Sequence, residues 1–411
     1  MKRKVLALTL ITVLFFSTTA VGDAGHEFIE YAENPVVAPP ESGFFYSPDI
    51  LVENSSLWYM LFGGQATGTP ANGDAIYIAY STDGGNTWNQ QGGASMILSD
   101  GPPNSWNDAH SNDPSWTKLA NGTYVMVFTG AYGPGGNETD QIGIATSNNP
   151  IKGWTEYSGN PILAERYSHE EYNIARPSLL YEEGIFKMWY DCRATPYNYS
   201  DPTLISTGIA YATSKDGMKW TRHGIVIPDN NTNGLGGPSV YREDENTLVM
   251  VAEAWTDRIG RFRWYNSSDG ISWTYVGDVV NPYGSWHMIS GVSSADVLKD
   301  NRGKWRIYFA GGNGAIGSSW SIGFVYEDGV DTTSEGVEDS ANGGTSSTPS
   351  SSPSPSQDPS PSPAPTPAPT PSPSPEPLQS EPFPTTWIIA AIFSVVIVAA
   401  GLLIYFKKRK R

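Results

Sequence analysis

The chain of 411 residues contains one cysteine and only 25 lysine or arginine residues against 42 acidic ones, so its formal net charge is −17. A single cysteine excludes a disulfide-stapled fold and a zinc cluster built on cysteines. Eight of the basic residues lie at the termini, in positions 2–4 and 407–411, which leaves the sequence between them strongly acidic. Such a surface repels phosphate backbones and excludes nucleic acid as a partner.

Helical periodicity is also lacking between residues 24 and 330, where no segment of useful length repeats apolar residues every three to four positions. Aromatic residues make up 12% of the chain and glycines number 43, a composition typical of strands joined by tight turns. Length alone would predict nearly three domains. The composition instead predicts one all-β body with specialised ends.

The two ends are predicted to be targeting segments. Residues 1–22 have the cationic head, apolar run and small-residue stretch of a secretory signal peptide, with an uncleaved membrane anchor as the alternative. Residues 387–406 form an uncharged apolar run long enough to span a bilayer, and the basic residues 407–411 place the C-terminus in the cytoplasm. Residues 331–386 are rich in proline and serine and are predicted to form a disordered, extended stalk.

This layout predicts a single-pass protein of the cell membrane whose body lies outside the cytoplasm. Six sequons for N-linked glycosylation are compatible with that location, although such triplets also occur by chance in asparagine-rich loops. They begin at Asn54, Asn121, Asn137, Asn198, Asn230 and Asn266.

Five internal repeats divide residues 24–330. Each repeat has a polar or proline-containing start, a short apolar strand, a turn and an aromatic-rich strand, with a spacing of about 60 residues that fits one propeller blade. The sequence aligns the starts of the five inner strands at Asp49, Asp113, Arg176, Gly237 and Asp296.

A second element follows each repeat and, in four cases, ends in a turn closed by tryptophan. Asp83, Asp216 and Asp269 can bond the backbone of these turns, so we expect a structural role for them. A short apolar third element follows the first four blades, at 95–98, 160–163, 224–228 and 278–280, and is missing after the fifth. Its missing copy is found at residues 34–37, which predicts that the N-terminal strand closes the ring of a five-bladed β-propeller.

Strand starts and ends at one mouth of a propeller define its central funnel. The carboxylates expected there favour hydrolysis of glycosidic bonds, which requires two carboxylates. The predicted catalytic residues are Asp49, Asp113, Glu171 and Glu253. In this prediction Asp49 is the base or nucleophile, Asp113 stabilises or positions, and Glu171 or Glu253 supplies the proton. Residues expected to bind the hydroxyl groups and apolar faces of a sugar are Trp106, His110, Arg176, Asp191, Arg193, Trp255, His287 and Asp296.

Each of these candidates has a structural alternative. The aspartates could cap turns at strand starts, and Arg176 and Arg193 could form ion pairs inside the funnel. The histidines lack metal-ligand spacing, so no zinc site and no cofactor are predicted, while the abundant aspartates leave room for a structural calcium ion.

The segments at 47–50 (SPDI), 112–116 (NDPSW), 175–178 (ARPS) and 236–240 (GGPSV) carry a family resemblance. Together with the repeated turns, they resemble the five-bladed arabinanase, xylosidase, levansucrase and invertase superfamily of glycoside hydrolases. The resemblance covers residues 24–330 and implies the fold and a carbohydrate or glycoconjugate substrate. In the arabinanase branch it implies that Asp49 is the base, and in the invertase branch that Asp49 and Asp113 are the two aspartates.

The chain departs from these patterns at two places. The arabinanase branch has its second aspartate where this chain has Arg176, and its acid where this chain has Gly236. The mannoside phosphorylase branch, which the Asn-Pro outer strands and the arginine-rich funnel resemble, implies a phosphate-holding role for Arg176 and Arg193. Two hypotheses therefore follow from the sequence: a membrane-anchored glycosidase-like enzyme, or a non-catalytic propeller for carbohydrate binding or adhesion.

Overall fold

The computed structural model describes residues 26–39, 42–66, 73–89, 95–133, 139–165, 173–193, 206–229, 234–256, 259–280, 292–312 and 320–327. Over these ranges it contains five four-stranded antiparallel sheets, which confirms the all-β five-bladed propeller. The predicted signal peptide, stalk, transmembrane segment and cytoplasmic tail lie outside the described residues. Among the residues that are described, no helix is long and apolar enough to cross a membrane.

The four strands of a blade follow one another from the funnel to the outer edge. Blade 1 contains β2 (Gly43–Val52), β3 (Trp58–Ala66), β4 (Ala75–Ser81) and β5 (Ser95–Leu98). Blade 2 contains β6 (His110–Lys118), β7 (Tyr124–Tyr132), β8 (Thr139–Ser147) and β9 (Thr155–Glu156). Blade 3 contains β10 (Asn173–Glu182), β11 (Ile185–Arg193), β12 (Ser206–Ser214) and β13 (Trp220–Pro228).

Blade 4 contains β14 (Leu235–Asp244), β15 (Thr247–Thr256), β16 (Ile259–Ser267) and β17 (Thr274–Asp278). Blade 5 contains β18 (Val292–Lys299), β19 (Trp305–Gly311), β20 (Ser321–Glu327) and, as its outermost strand, the N-terminal β1 (Phe28–Glu30). The N-terminal segment therefore closes the ring, as predicted, and covers the edge of the last blade.

The apolar core is divided among the interfaces between blades. Each of five buried clusters combines residues of two neighbouring blades. At the closure between blades 5 and 1, for example, Tyr308 and Phe324 share a cluster with Trp58 and Phe62. Because every blade buries both faces against its neighbours, removal of one blade would expose two apolar faces.

Four outermost strands begin earlier than the sequence predicted, and the one in blade 3 is Trp220–Pro228 rather than 224–228. The closing strand is Phe28–Glu30 rather than 34–37, and the blade 2 strand is Thr155–Glu156 rather than 160–163. In blade 4 the strand is Thr274–Asp278, whereas 278–280 was expected. In blades 2 and 5 the predicted segments contribute isolated bridges through Leu163 and Val37 instead.

Asparagine side chains explain the difference in blades 2 and 5. The Asn34 amide donates to the Phe324 carbonyl at 2.8 Å, and its Oδ1 accepts from the Phe324 amide at 3.0 Å. Asn160 bonds Ile144 in the same way, at 3.0 Å for both contacts. A proline follows each asparagine and cannot donate to the sheet, so the carboxamide supplies the pairing that the backbone lacks.

The predicted aspartate turns are confirmed. In the turn after β16, Asp269 Oδ1 accepts from the amides of Ile271 and Ser272 at 2.8 and 2.7 Å. These backbone bonds lower the pKa of Asp269 to about 2. The turn also docks on the preceding blade, because Trp189 Nε1 donates to the Gly270 carbonyl at 2.8 Å.

Each innermost strand contains a bulge near its start. At every bulge the pairing register with the second strand shifts, and one residue has a positive φ. This left-handed conformation is costly for residues other than glycine. The five residues and their φ angles are Ser47 (49°), Asp113 (46°), Arg176 (48°), Gly237 (50°) and Ser294 (51°).

The bulges correct the alignment of the repeats. By backbone conformation, Ser47 is the equivalent of Asp113, and Asp49 is the equivalent of Ser115, two residues further along the strand. The sequence alignment equated Asp49 with Asp113 because each is an aspartate beside a proline. The aspartate follows the proline in blade 1 and precedes it in blade 2, and this difference in order accounts for the error.

The residues two positions after each bulge residue link the blades into a closed ring. Each side chain accepts a hydrogen bond from a backbone amide of the neighbouring innermost strand. The five bonds are Ile50 N to Asp296 Oδ2 (2.8 Å), Trp116 N to Asp49 Oδ1 (3.4 Å), Leu179 N to Ser115 Oγ (3.0 Å), Val240 N to Ser178 Oγ (2.9 Å) and Val297 N to Ser239 Oγ (2.9 Å).

The ring predicts the cost of removing one of its acceptors. Ser178→Ala leaves the buried amide of Val240 without its partner, so we expect the free energy of unfolding to fall by about 1–3 kcal/mol. Denaturant unfolding measures this loss. Ser158→Ala, at an exposed serine, is the control and should change stability by less than about 0.5 kcal/mol. Equal effects of the two substitutions would contradict the ring.

Candidate active site in the propeller funnel

A small cavity lies where the five innermost strands converge. Its wall is formed by the bulge residues and the residues that follow them. The lining residues are Ser47, Pro48, Asp49, Asp113, Pro114, Arg176, Pro177, Gly237, Pro238, Ser239, Ser294 and Ala295. Every blade contributes to the cavity, and one bulge residue of each blade lies at the same level of the funnel.

Asp113 is the bulge residue of blade 2 and lines the cavity. The Ser47 hydroxyl, from the bulge of blade 1, donates a short hydrogen bond to Asp113 Oδ1. Burial raises the pKa of Asp113 to about 6, although the Ser47 hydroxyl and the Arg176 guanidinium oppose the rise. The structure thus gives the funnel a carboxyl group that titrates near neutral pH, a property of groups that transfer protons in enzymes.

Arg176 is the bulge residue of blade 3 and joins two buried carboxylates. Its Nη2 lies 2.8 Å from Asp191 Oδ2, and its Nη1 lies 3.2 Å from Glu253 Oε2. Although burial opposes it, the charges of Asp191 and Glu253 raise the pKa of Arg176. Arg193 also approaches Asp191 Oδ2, at 3.5 Å. Arg176 and Arg193 therefore form ion pairs inside the funnel, which was the alternative to sugar binding predicted for them.

Two glycines make room for the Arg176 side chain. A Cβ atom at Gly236 would lie 2.5 Å from Arg176 Nη2 and 2.7 Å from the Asp191 carboxylate, and one at Gly237 would lie 3.1 Å from Arg176 Nη1. A larger residue at Gly236 would displace the ion pair. In the arabinanase pattern the acid stands at the start of blade 4. In this chain the Arg176 guanidinium lies over that position.

Glu253 is fully buried, with 1% of its surface exposed. Besides Arg176, its Oε2 accepts from the Ser293 hydroxyl and from the Ser294 amide, each at 2.7 Å. Its Oε1 accepts a short hydrogen bond from Trp255 Nε1. These contacts fix the position of the Glu253 carboxyl group opposite Arg176.

Asp49 and Asp296 lie on neighbouring blades and serve as acceptors in the inter-blade ring. Burial, followed by the charge of Asp296, holds the pKa of Asp49 well above its ordinary value. Burial raises the pKa of Asp296 to about 7, against the bonds from the Ile50 amide and the Ser239 hydroxyl. Asp49 also lines the cavity, so the structure brings it near Asp113 while its Oδ1 is bonded to blade 2.

A polar chain lies at the mouth between blades 1 and 2. The Tyr46 hydroxyl donates to Asp74 Oδ2 at 2.5 Å and accepts from Asn112 Nδ2 at 2.6 Å. Burial and the nearby Asp74 hold the pKa of Tyr46 well above its ordinary value. Asn112 Oδ1 is buried and has no hydrogen-bond partner among the described residues. His110 lies close by, 3.5 Å from Asp140.

The other predicted residues have different placements. Trp106 packs in blade 2, where a Cβ atom at Gly130 or Gly143 would overlap its ring. Its indole fills the space over these glycines rather than facing the cavity. Glu171 and His287 lie outside the described residues, as do the neighbouring loop residues His169, Glu170 and Trp286.

Sequence reasoning missed Ser47 and the Tyr46–Asp74–Asn112 chain. The signal for Ser47 is its proline, since Ser-Pro, Asp-Pro, Arg-Pro and Gly-Pro occur at the bulges of blades 1 to 4. Tyr46 and Asn112 directly precede the bulge residues Ser47 and Asp113, so an alignment on the dipeptides would have found them too. Among the described residues, no group of three or more histidine, cysteine or acidic side chains is arranged to hold a metal ion.

Comparisons with known proteins agree on the fold. No family model matches the chain. A family 117 glycoside hydrolase from the marine bacterium Zobellia galactanivorans superposes with a TM-score of 0.52 at 14% identity, over 74% of this chain and 90% of that one. The catalytic domain of a GH62 α-L-arabinofuranosidase from Coprinopsis cinerea gives a TM-score of 0.52 at 14% identity, over 74% and 98% of the two chains.

A structure from the GH130 family of mannoside phosphorylases and glycoside hydrolases matches at 15% identity with a TM-score of 0.52, over 75% of this chain and 94% of that one. In sequence, a probable sucrose-6-phosphate hydrolase from Psychromonas ingrahamii is 33% identical over 79 residues, which is 18% of this chain and 14% of that protein. The chain therefore shares the five-bladed fold of glycoside hydrolases, and the resemblance predicted from the repeats is confirmed at that level.

The Asp49–Asp296 pair predicts a pH dependence of stability. A carboxyl group whose pKa is raised by folding keeps a proton that the unfolded chain releases, so its contribution to stability is lost as pH rises from about 4 to about 7. Asp296→Asn should remove about 1–4 kcal/mol of this decline. Denaturant unfolding of both proteins at pH 4, 5, 6 and 7 measures the two slopes, and identical slopes would show that Asp296 does not carry the proton.

Proposed function

We propose that this propeller is a glycosidase-like protein that hydrolyses glycosidic bonds of a polysaccharide or glycoconjugate bound in its funnel. The observation that carries the proposal is Asp113, a carboxyl group that lines the cavity and has a pKa raised to about 6. The fold shared with several glycoside hydrolases supports it. The fold alone does not assign an activity, because function depends on the site.

In this proposal Asp113 is the proton donor. Cleavage of a glycosidic bond requires a protonated carboxyl group beside the leaving oxygen, and a pKa of about 6 keeps part of Asp113 protonated near neutral pH. Ser47 holds the carboxyl group in one orientation through its bond to Oδ1. The cationic Arg176 beside it favours the carboxylate that remains after proton transfer.

Hydrolysis also needs a second carboxylate, as base or nucleophile. Glu253 and Asp191 are already paired with Arg176, and Asp49 is bonded to blade 2. We assign the second carboxylate to Glu171, which lies outside the described residues and stands two positions before the start of β10 in the sequence. Asp49 is the next choice because it lines the same cavity.

We further propose that the propeller is exported and anchored in the cell membrane. The sequence patterns that support this are the signal peptide at 1–22, the stalk at 331–386 and the apolar segment at 387–406. The propeller would then meet its glycan outside the cytoplasm, held to the membrane by one transmembrane helix.

A second candidate function is carbohydrate binding without catalysis. The observation that favours it is Ser47, because the bulge position of blade 1 carries a hydroxyl where blade 2 carries a carboxyl group. With Asp49 engaged in the inter-blade ring, the described part of the funnel presents Asp113 without an unpaired carboxylate beside it. A propeller of this kind would bind a glycan through the same funnel and leave it intact.

Substitution of Asp113 tests the proposal. With the full-length protein and a panel of chromogenic glycosides and polysaccharides, Asp113→Asn should lower kcat by at least about 100-fold, since the amide cannot donate the proton. The control is Asp244→Asn at the exposed end of β14, which should leave kcat unchanged. A fully active Asp113→Asn protein would remove Asp113 from the mechanism, whereas glycan binding by a wild-type protein that cleaves nothing would establish the second candidate.

The pH profile gives an independent test. A proton donor with a pKa of about 6 loses its proton above that pH, so kcat should fall as pH rises through 6. The Ser47 hydroxyl favours the charged form of Asp113, so Ser47→Ala should raise the pKa of Asp113 and move the alkaline limb to higher pH. An alkaline limb that stays in place in Ser47→Ala would show that another group determines it.

A further inference from the structure

We propose that Asn54 and Asn121 are attachment sites for N-linked glycans and that Asn266, which has the same sequon, is not. The inference rests on the proposed export of the propeller, since the transfer of such glycans takes place outside the cytoplasm. It does not depend on whether the funnel cleaves a substrate. The three remaining sequons, at Asn137, Asn198 and Asn230, lie outside the described residues.

Asn54 lies in the exposed turn between β2 and β3. Its Oδ1 accepts from the Ser56 amide at 3.0 Å, from the Leu57 amide at 2.9 Å and from the Ser56 hydroxyl at 3.2 Å. The hydroxyl of the sequon therefore touches the carboxamide of its own asparagine. These bonds use Oδ1, so the turn fixes the carboxamide without using Nδ2, the atom to be glycosylated.

Asn121 occupies the corresponding turn of blade 2, between β6 and β7. Its Oδ1 accepts from the Thr123 amide at 3.0 Å, which repeats the contact between Asn54 and Ser56. The residue is exposed. Lys118 and Tyr124 on either side of this turn both bond Glu53 beside the first turn, so the two sequons are presented by one connected surface.

Asn266 differs because it lies within a strand. It pairs with Val249 on one side of β16 and with Thr274 on the other, so its backbone belongs to the sheet. Its Oδ1 accepts from Trp264 Nε1 at 2.8 Å. A transferase would have to open the outer part of blade 4 to bend the chain around this asparagine.

The reaction that the two turns would support is a group transfer from a lipid-phosphate-linked oligosaccharide. The asparagine Nδ2 attacks the anomeric carbon of the first sugar and forms the C–N bond. The bond between that carbon and the phosphate oxygen breaks, and the lipid phosphate leaves with the bonding electron pair. The amide loses one proton, and no oxidant or reductant is needed.

Glycans at these positions leave the funnel open. The two turns follow the ends of innermost strands that carry their bulge residues near the other end, five residues before Val52 in blade 1 and five before Lys118 in blade 2. At ~3.3 Å per residue this separation is roughly 17 Å. The glycans would cover the face opposite the cavity.

Mass spectrometry of the full-length protein purified from membranes of its native cells tests the assignment. We expect glycan on the peptides that contain Asn54 and Asn121 and an unmodified peptide for Asn266. Ser56→Ala and Thr123→Ala should each remove one glycan mass, and Thr123→Ser, which keeps the sequon, should retain it. Ser268→Ala, which destroys the third sequon, is the matched control and should change the mass only by the substitution.

Unmodified peptides at Asn54 and Asn121, or a glycan at Asn266, would overturn the assignment. Protease treatment of intact cells identifies which premise failed. A propeller that is digested but unmodified is exported, and the choice of sites is then wrong. A propeller that is protected from the protease is not exported, and the proposed location then fails together with the glycans, while the activity assays on Asp113 remain independent.

Discussion

The structure depends on a ring of hydrogen bonds that passes through all five innermost strands. In each blade the side chain two residues after the bulge residue accepts a hydrogen bond from a backbone amide of the neighbouring blade. Apolar contacts between blades are not directional, whereas these bonds fix the height of one innermost strand against the next. The ring thereby sets the level at which the bulge residues meet around the cavity.

The bulge separates two tasks that a regular strand could not perform together. The residue with positive φ faces the cavity, while the residue two positions later bonds the neighbouring blade. The conformational cost of the bulge is offset by the bonds that it permits on both sides. The bulge residue can therefore differ from blade to blade, and it is serine, aspartate, arginine or glycine. The residue two positions later is a hydrogen-bond acceptor in every blade.

Repeats and composition were sufficient to predict the blade count and the N-terminal closure, because each blade needs a partner for its outer edge. The finer alignment was not predictable in the same way. Asp49 and Asp113 have the same residue type and a neighbouring proline, so residue type does not show which of them lies at a bulge. The order of aspartate and proline does distinguish them, but the backbone conformation is what gives that order its meaning. Likewise, the carboxamides of Asn34 and Asn160 replace backbone pairing, a substitution that strand propensities do not encode.

The sequence predicted that the candidate site lies in the funnel, but it did not predict which side chains contact one another there. The ends of second strands pointed to Asp191 and Glu253. Their pairing with Arg176 depends on the space above Gly236 and Gly237, which is a property of the folded chain. Trp106 was expected at the funnel on account of its sugar-stacking chemistry, and it instead covers two glycines within blade 2.

Hydrogen–deuterium exchange tests the ring most directly. The five amides that donate across blade boundaries are those of Ile50, Trp116, Leu179, Val240 and Val297. If the ring holds the propeller together, all five should belong to the slowest-exchanging class and open only with global unfolding. Fast exchange at Ile50 or Trp116 with continued protection at Leu179 and Val240 would show that the two aspartates do not close the ring, and would contradict the account.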